Sequence, residues 1–389
     1  MSKRGLVVLE DGRFFEGISC GASGMAVGEI VFNTSMSGYQ EILTDPSYSG
    51  QVVTFTMPHI GNYGVNPFDN ESGRVQAAGV IVRNMSRVAS NFRSSQSFSE
   101  WLETEGIVAI TEVDTRALTR YIRDKGVMMA AIAEGAGQKD VDRIVEELRA
   151  RPRYGSVNFV DEVACSQPMS VRVDMDGGGE FDARVVLEPM VEKPSSSDKP
   201  HIVVVDFGVK HSILRHLDRV GFRVTLVPRD FDAAAIAALR PDGVLWSNGP
   251  GDPALLDAYL KGMLEISEGL PTMGICLGHQ LLARAYGAST FKLPFGHRGP
   301  NQPVKDLRTE AVAMTSQNHG YAVDLDSVSE DLEITHINLN DGTVAGFRHR
   351  HKPLFALQYH PEAGPGPNDA IVCFDEFFRI VREHADQPK

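Results

Sequence analysis

The chain is poor in the residues that staple small proteins together. Its 389 residues include four cysteines, Cys20, Cys165, Cys276 and Cys373. No two of them form a C-x-x-C pair, so neither a zinc knuckle nor a disulfide framework is expected, and a reducing compartment fits. Positive charge is also short: 38 Lys and Arg stand against 51 Asp and Glu, a formal net charge of −13. That balance disfavours a generic nucleic-acid binder, which needs a phosphate-neutralising surface. Long apolar runs are missing as well. The Leu6–Leu9 run is too short for the apolar region of a signal peptide, and no stretch reaches membrane-spanning length. There is no Walker A sequence, G-x-x-x-x-G-K-[ST], to cradle the phosphates of ATP. What remains is a globular protein, expected in the cytoplasm, with 42% hydrophobic residues from which to build cores. Its length suggests two or three domains.

The composition shifts at Leu187–Pro200 (LEPMVEKPSSSDKP), whose prolines and serine run read as a linker. The expected organisation is an N-terminal domain over 1–150, a connecting segment and linker over 151–200, and a second domain over 201–389. In the second domain, short apolar strands alternate with helices. Strands are expected at Ile202–Asp206, Phe222–Val227, Gly243–Ser247, Thr272–Ile275 and Leu354–Tyr359. Helices are expected at Lys210–Val220, Asp232–Leu239, Ala254–Glu268, Leu277–Tyr286 and near Asp369–His384. In the last of these, Ile371, Phe374, Phe377, Phe378 and Val381 share one face. This alternation implies an α/β domain with a doubly wound, mostly parallel sheet, which binds ligands beyond the carboxyl ends of its strands. The first half reads as mixed α/β. Short strands are expected at Leu6–Leu9, Glu29–Asn33 and Gln51–Thr56, and helices at Ser99–Glu105, Thr115–Lys125 and Asp140–Ala150.

Gly274-Ile275-Cys276-Leu277-Gly278-His279-Gln280 falls at a strand-to-helix junction and has the G-x-nucleophile-x-G layout of a nucleophile elbow. Gly274 and Gly278 would remove side chains that clash with the tight turn. Cys276 would then point out at the strand's carboxyl end, at a helix N-terminus whose free N–H groups and dipole favour a thiolate. The Leu277 N–H is placed to help hold an oxyanion. The other three cysteines are expected to be structural, with Cys373 packed among the core-facing residues of the last helix.

A thiolate needs a base, and the base needs an orienting group. Gln358-Tyr359-His360-Pro361-Glu362 follows the last apolar strand. Pro361 disfavours helix at His360, and residues two apart in extended chain share a face. Glu362 is therefore expected to accept the His360 ring N–H and fix its tautomer. His279, His349 and His351 are weaker candidates, and His319 reads as a supporting or substrate-loop residue. From the residues alone the site is a thiol-dependent acyl-transfer centre. That reading leaves open a glutaminase, a hydrolase or peptidase on the same fold, and a gating subunit with a silent site.

Together, GICLGHQ, the HPE sequence 84 residues beyond Cys276, and Ser247-Asn248-Gly249-Pro250-Gly251-Asp252-Pro253 resemble the class I glutamine amidotransferases, whose glutaminase domain is flavodoxin-like. The resemblance implies hydrolysis of the glutamine side-chain amide through a γ-glutamyl thioester. Cys276 would be the nucleophile, His360 the base and acid, and Glu362 the orienter. The Gly249–Gly251 turn would add an oxyanion N–H to that of Leu277. The first half, with Gly28–Glu41, Leu43–Ser49, Pro58–Gly64, Ala89-Ser90-Asn91-Phe92-Arg93 and Asp114–Arg120, is similar to the carbamoyl-phosphate synthase small-chain family. That likeness covers nearly the whole chain except roughly 150–200. It implies glutamine contacts at Ser47, Gly249, Gly251, Leu277, Gln280, Asn318, Gly320 and Tyr321, the last in place of a more familiar Phe. Tyr359 stands where a small residue also occurs. It further implies that the N-terminal domain over 1–150 is the interface with a partner, the large synthetase subunit, which receives ammonia and makes carbamoyl phosphate for arginine and pyrimidine biosynthesis. No cofactor and no metal are expected in this chain; ATP and Mg are expected on the partner.

Overall fold

The computed structural model describes residues 3–175, 183–190 and 199–386. The chain divides into two compact units: Met1–Phe159 with Pro294–Gly299, and Val160–Leu293 with Pro300–Lys389. The division falls between Phe159 and Val160, so the expected connecting segment 151–200 does not stand apart. Met169–Met175 and Ala183–Pro189 pair antiparallel, and the first of them pairs on with the strand Arg223–Pro228 of the second unit. The reason is period-two patterning. Met169, Val171, Val173 and Leu187 pack against the second unit's core, while Ser170 and Arg172 are exposed. The serine run of the expected linker lies in 191–198, outside the described residues.

The second unit is built on the expected parallel sheet. Its parallel strands lie in the spatial order Arg223–Pro228, His201–Asp206, Gly243–Trp246, Thr272–Ile275 and Leu354–Leu357. In chain order this is 2-1-3-4-5, the flavodoxin-like arrangement. Antiparallel strands extend it at both edges to eleven. The apolar run of the first parallel strand serves both faces. Ile202 and Val204 pack with Leu217, Phe374 and Phe377 on one side. Val203 and Val205 pack with Trp246, Met263 and Leu281 on the other. Each such fully buried aliphatic contributes about 1.5–3 kcal/mol relative to exposure. The last helix, Val372–Ala385, buries Phe374, Phe377 and Val381, with Ile371 and Phe378 packed alongside.

Two stretches depart from expectation. The segment expected as helix from Ala254 begins as a 3₁₀ turn, Pro253–Tyr259, and becomes α-helical only over Leu260–Ser267. Asp252 binds the Ala254 N–H and Pro253 holds the first position, which tightens the start. The region 290–349 carries four strands with no counterpart in the sequence reading: Thr290–Asp306, Val312–Val323, Leu332–Asn338 and Val344–His349. Their polar and glycine-containing stretches, such as SQNHGY, hide the alternation that marks a half-buried strand.

The first unit is a closed barrel. Around it run Arg4–Leu9, Phe14–Ser19, Ala109–Thr111, Gly79–Ile81, Gln51–Phe55, Met25–Asn33 and Met128–Glu134. Closure leaves no unpaired edge. Helix Phe98–Thr104 starts in a capping box between Ser97 and Glu100. Helix Thr115–Lys125 is capped by Asp114 and buries Leu118 and Ile122. Helix Val141–Ala150 buries Val141, Ile144, Val145 and Leu148.

Candidate active site

Cys276 sits between the strand Thr272–Ile275 and the helix Leu277–Ala285, with φ 53° and ψ −102°. No ordinary L-residue conformation lies there, so the turn is strained. Its glycines are dictated by space. A Cβ on Gly278 would lie 2.1 Å from the Trp246 carbonyl oxygen, and one on Gly274 2.7 Å from Leu282 Cδ1 and 2.9 Å from Gly278 O. Hydrogen bonds hold the bend from both sides: Cys276 N–H donates to Leu357 O at 2.8 Å, and Gly278 N–H to Ser247 O at 3.0 Å. Leu277 takes the first helical position, where an N–H has no intrahelical acceptor. The loop after Trp246 closes on it. A Cβ on Gly249 would meet Phe207 O at 2.2 Å and Leu277 Cδ2 at 2.9 Å. Gly251 in the same loop has φ 96°. The two expected oxyanion donors thus come from adjoining backbone.

His360 lies three residues past the end of the last parallel strand, with its N–H on Ser316 O at 2.9 Å. Its Nδ1 meets Glu362 Oε1 at 2.7 Å. The contact is made in a turn, not in the continuing strand expected to Tyr359. The strand stops at Leu357, and the Ala363 N–H closes back on His360 O at 3.1 Å. With Nδ1 committed to the carboxylate, Nε2 is the nitrogen left for chemistry. It has no partner at ordinary hydrogen-bond distance among the described residues. Burial opposes a charge on this ring. The Glu362 carboxylate and the Cys276 sulfur outweigh burial and raise its pKa to about 10. Burial likewise opposes charge on Glu362, but Lys210 and His360 pull its pKa down to about 2. The arrangement favours a protonated imidazole between a carboxylate and a sulfur.

Lys210 is a component the sequence reading missed. Only 2% of its side chain is exposed, and its Nζ stands 3.1 Å from Glu362 Oε1 and 2.5 Å from Ala363 O. Its N–H is held by Asn248 Oδ1 at 3.1 Å, which ties the first strand-to-helix loop to the third strand's loop. A lone lysine after an apolar strand carries no spacing signal, so no motif could have revealed it. Gln358 is the second omission. Its Nε2 donates to Cys276 Sγ at 3.8 Å, and its Oε1 accepts from Gln280 Nε2 at 3.0 Å.

Strand Val312–Val323 brings these parts together. Ser316 holds the His360 backbone, and two residues on the Asn318 carbonyl accepts from Cys276 Sγ at 3.6 Å. Gln280 also donates to Tyr321 O at 2.7 Å, so its amide nitrogen is spent on the scaffold. Asn318 and Tyr321 are buried and Gly320 is half-buried in this strand. Ser47 belongs to the barrel unit. It is buried in the 3₁₀ turn Pro46–Tyr48, with its N–H on Asp45 Oδ1 at 2.8 Å. His319 bonds Tyr321 O at 2.7 Å. His279 is fully buried 4.9 Å from the Phe347 ring, and burial lowers its pKa to about 3, so it is a neutral core residue. Cys373 packs in the core as expected, its thiol pushed up to about 12 by burial. All four cysteines are free.

Comparison with known proteins follows the same division. The class I glutamine amidotransferase family matches residues 203–380, the segment that holds the cysteine, histidine and glutamate just described. The CPSase domain of the carbamoyl-phosphate synthase small chain matches residues 7–132, in the barrel unit. The chain is 48% identical over 386 residues to the carbamoyl phosphate synthase small chain of Akkermansia muciniphila, covering 98% of this chain and 100% of the relative. It is 48% identical to that of Rhodopirellula baltica, covering 98% and 97%. With the Vibrio vulnificus protein the figures are 45% identity, 99% and 100%. The fold and site define a class I glutamine amidotransferase. More narrowly, the chain belongs to the carbamoyl-phosphate synthase small-chain family, the glutaminase subunit of a ligase complex. Among the described residues, no helix is long and apolar enough to cross a membrane.

Proposed function

We propose that the second unit hydrolyses the side-chain amide of L-glutamine to glutamate and ammonia through a thioester on Cys276. The observation that carries this reading is the His360 ring, its Nδ1 held 2.7 Å from Glu362 and its Nε2 left for the sulfur. The Cys276 sulfur attacks the amide carbon while its proton resides on His360. The Leu277 N–H and the Gly249–Gly251 turn receive the developing oxyanion, each donor worth roughly 3–4 kcal/mol. Collapse breaks the C–N bond, and His360 gives its proton to departing ammonia. His360 then takes a proton from water, hydroxide adds to the thioester carbon, and glutamate leaves as the sulfur is restored. Gln280, Asn318, Gly320 and Tyr321 complete the proposed glutamine contacts of this unit. Glu362 and Lys210 hold the ring's tautomer and position.

Ammonia released to water would be protonated and lose its nucleophilicity. We infer that it passes directly to the large synthetase subunit, which uses bicarbonate and ATP, with Mg, to make carbamoyl phosphate for arginine and pyrimidine biosynthesis. This chain needs no cofactor in that scheme. Its free cysteines suit a reducing cytoplasm.

The test is Cys276→Ser in the reconstituted two-subunit complex. Glutamine-dependent synthesis is expected to vanish while ammonia-dependent synthesis persists; survival of the glutamine-dependent reaction would refute the catalytic assignment. Incubation with peptide esters separates this reading from a general thiol hydrolase, because only glutamine is expected to be turned over.

A further inference from the structure

The second unit holds another cavity beyond the carboxyl ends of its strands. It has a volume of about 320 Å³ and lies where the strands Arg223–Pro228 and Gly243–Trp246 end. Neither the triad nor any proposed glutamine contact lines it. Its wall is aromatic, with Phe231 and Tyr259 packed onto the core that contains Trp246. Trp246 is 2% exposed, yet its indole N–H meets no acceptor among the described residues. A buried tryptophan ordinarily gives that N–H to a partner. Arg229 lines the same cavity and repeats the pattern. Its guanidinium reaches Asp161 at 2.7 Å, while its Nε is buried and has no acceptor among the described residues. Two desolvated donors therefore lie on one cavity, each destabilising until an acceptor reaches it.

The mouth has the opposite character. Asp230, Lys261 and Glu265 are exposed there. Lys261 pairs with Glu265 at 3.8 Å, and Asp232 caps the following helix through the Ala235 N–H at 2.7 Å. Asp230 has no cationic partner among the described residues. A plain anion would serve the two donors but face Asp230 and Glu265. A plain amine would suit Asp230 and leave the indole N–H bare. One ordered water would satisfy a donor, but it gives the aromatic wall and Asp230 nothing to bind.

We propose that this cavity binds a small zwitterion, an α-amino acid with an apolar side chain. Its carboxylate accepts from the Trp246 and Arg229 N–H groups, its ammonium faces Asp230, and its side chain lies on Phe231 and Tyr259. The volume falls at the lower end of the range for small-molecule sites, and a mostly apolar wall with a few polar groups is their usual make-up. Arg229 and Asp230 are consecutive, so a single loop after one strand supplies both an N–H and the carboxylate.

The chain has two tryptophans, Trp101 and Trp246, so the full-length protein labelled with nitrogen-15 tryptophan gives two indole N–H resonances, which Trp246→Phe assigns. The probe is L-phenylalanine; phenethylamine and phenylpropanoate are controls that each lack one charged end. The Trp246 resonance is expected to move saturably below roughly 10 mM L-phenylalanine, while that of Trp101 stays in place. Each control should bind roughly tenfold more weakly or less. In calorimetry, Trp246→Phe removes the N–H and keeps a ring, and Asp230→Asn removes an exposed charge without touching the core. Each is expected to weaken L-phenylalanine binding by roughly tenfold. A Trp246 resonance that no ligand moves overturns the proposal, since water then serves the donors. An equal response to phenylpropanoate also overturns it, in favour of a plain anion site. So does saturable binding that both variants leave unchanged, which would place the ligand elsewhere on the chain.

Discussion

Lys210 and Glu362 form an ion pair of 3.1 Å, with side-chain exposures of 2% and 0%. They come from opposite ends of the amidotransferase segment, and the same carboxylate oxygen also meets the His360 ring at 2.7 Å. One buried anion therefore answers to two cations. Removing either partner leaves an uncompensated charge in the interior, which costs far more than losing a surface pair. Lys210→Met is expected to lower stability to urea by about 3–5 kcal/mol. Lys210→Met/Glu362→Gln should cost less than the sum of the two single changes, by about 1–3 kcal/mol. Additive losses in that cycle would show that the pair is not coupled.

The nucleophile can be tested without disturbing the fold. Cys276→Ser replaces one small buried side chain by another, so the melting temperature should move little. Glutamine hydrolysis should fall by on the order of 10³-fold or more, as when one member of a concerted catalytic set is removed. Rates from rapid-quench hydrolysis of glutamine give the number. A residual rate within tenfold of wild type would assign the sulfur a structural role.

Stability should follow pH with a sign fixed by the two coupled groups. The His360 pKa is raised from 6.5 to about 10 in the fold, so its contribution is complete below 6.5 and lost as pH rises toward 10. The Glu362 pKa is lowered from 4.5 to about 2, so its contribution is complete above 4.5 and lost as pH falls toward 2. The difference in melting temperature between wild type and His360→Asn should be largest between those limits and shrink from neutral to alkaline pH. A difference that grows with alkalinity would contradict the ion-pair arrangement.

Gly278→Ala sets helix propensity against space. In an exposed helix interior the change would gain about 1 kcal/mol. Here the new Cβ would lie 2.1 Å from Trp246 O, a backbone atom in the middle of the sheet that cannot step aside. A net loss of about 1–3 kcal/mol or more is expected, together with reduced hydrolysis as the elbow shifts. Urea denaturation checks the sign, and a stabilised variant would mean that the turn has room to relax.

The cysteine, histidine and glutamate were legible because each lies in a compact local pattern: glycines around a strand-to-helix turn, and a proline-fixed pair of residues after a strand. The parallel sheet was legible from its uninterrupted apolar runs, such as Ile202–Val205. Lys210 was not, because its partner is 152 positions away and no short-range spacing links them. Gln358 was hidden by its place inside a motif whose neighbours draw the eye to His360. The barrel was illegible for a related reason. Its parallel pairs, such as Gln51–Phe55 with Gly79–Ile81, join strands separated by long irregular stretches, so turn signals say nothing about which strands are neighbours. The strands between Thr290 and His349 escaped because their polar side chains serve the site and its surroundings instead of a regular two-sided pattern.

The left-handed backbone at Cys276 has an evolutionary corollary. A side chain at φ 53° is held there at a cost of order 1–3 kcal/mol, met by the surrounding sheet and helix. Glycine would sit at that position without the steric penalty. A descendant that abandoned the reaction while keeping the scaffold would feel no selection for sulfur there, and drift toward glycine at 276 would be the fossil trace of its lost chemistry.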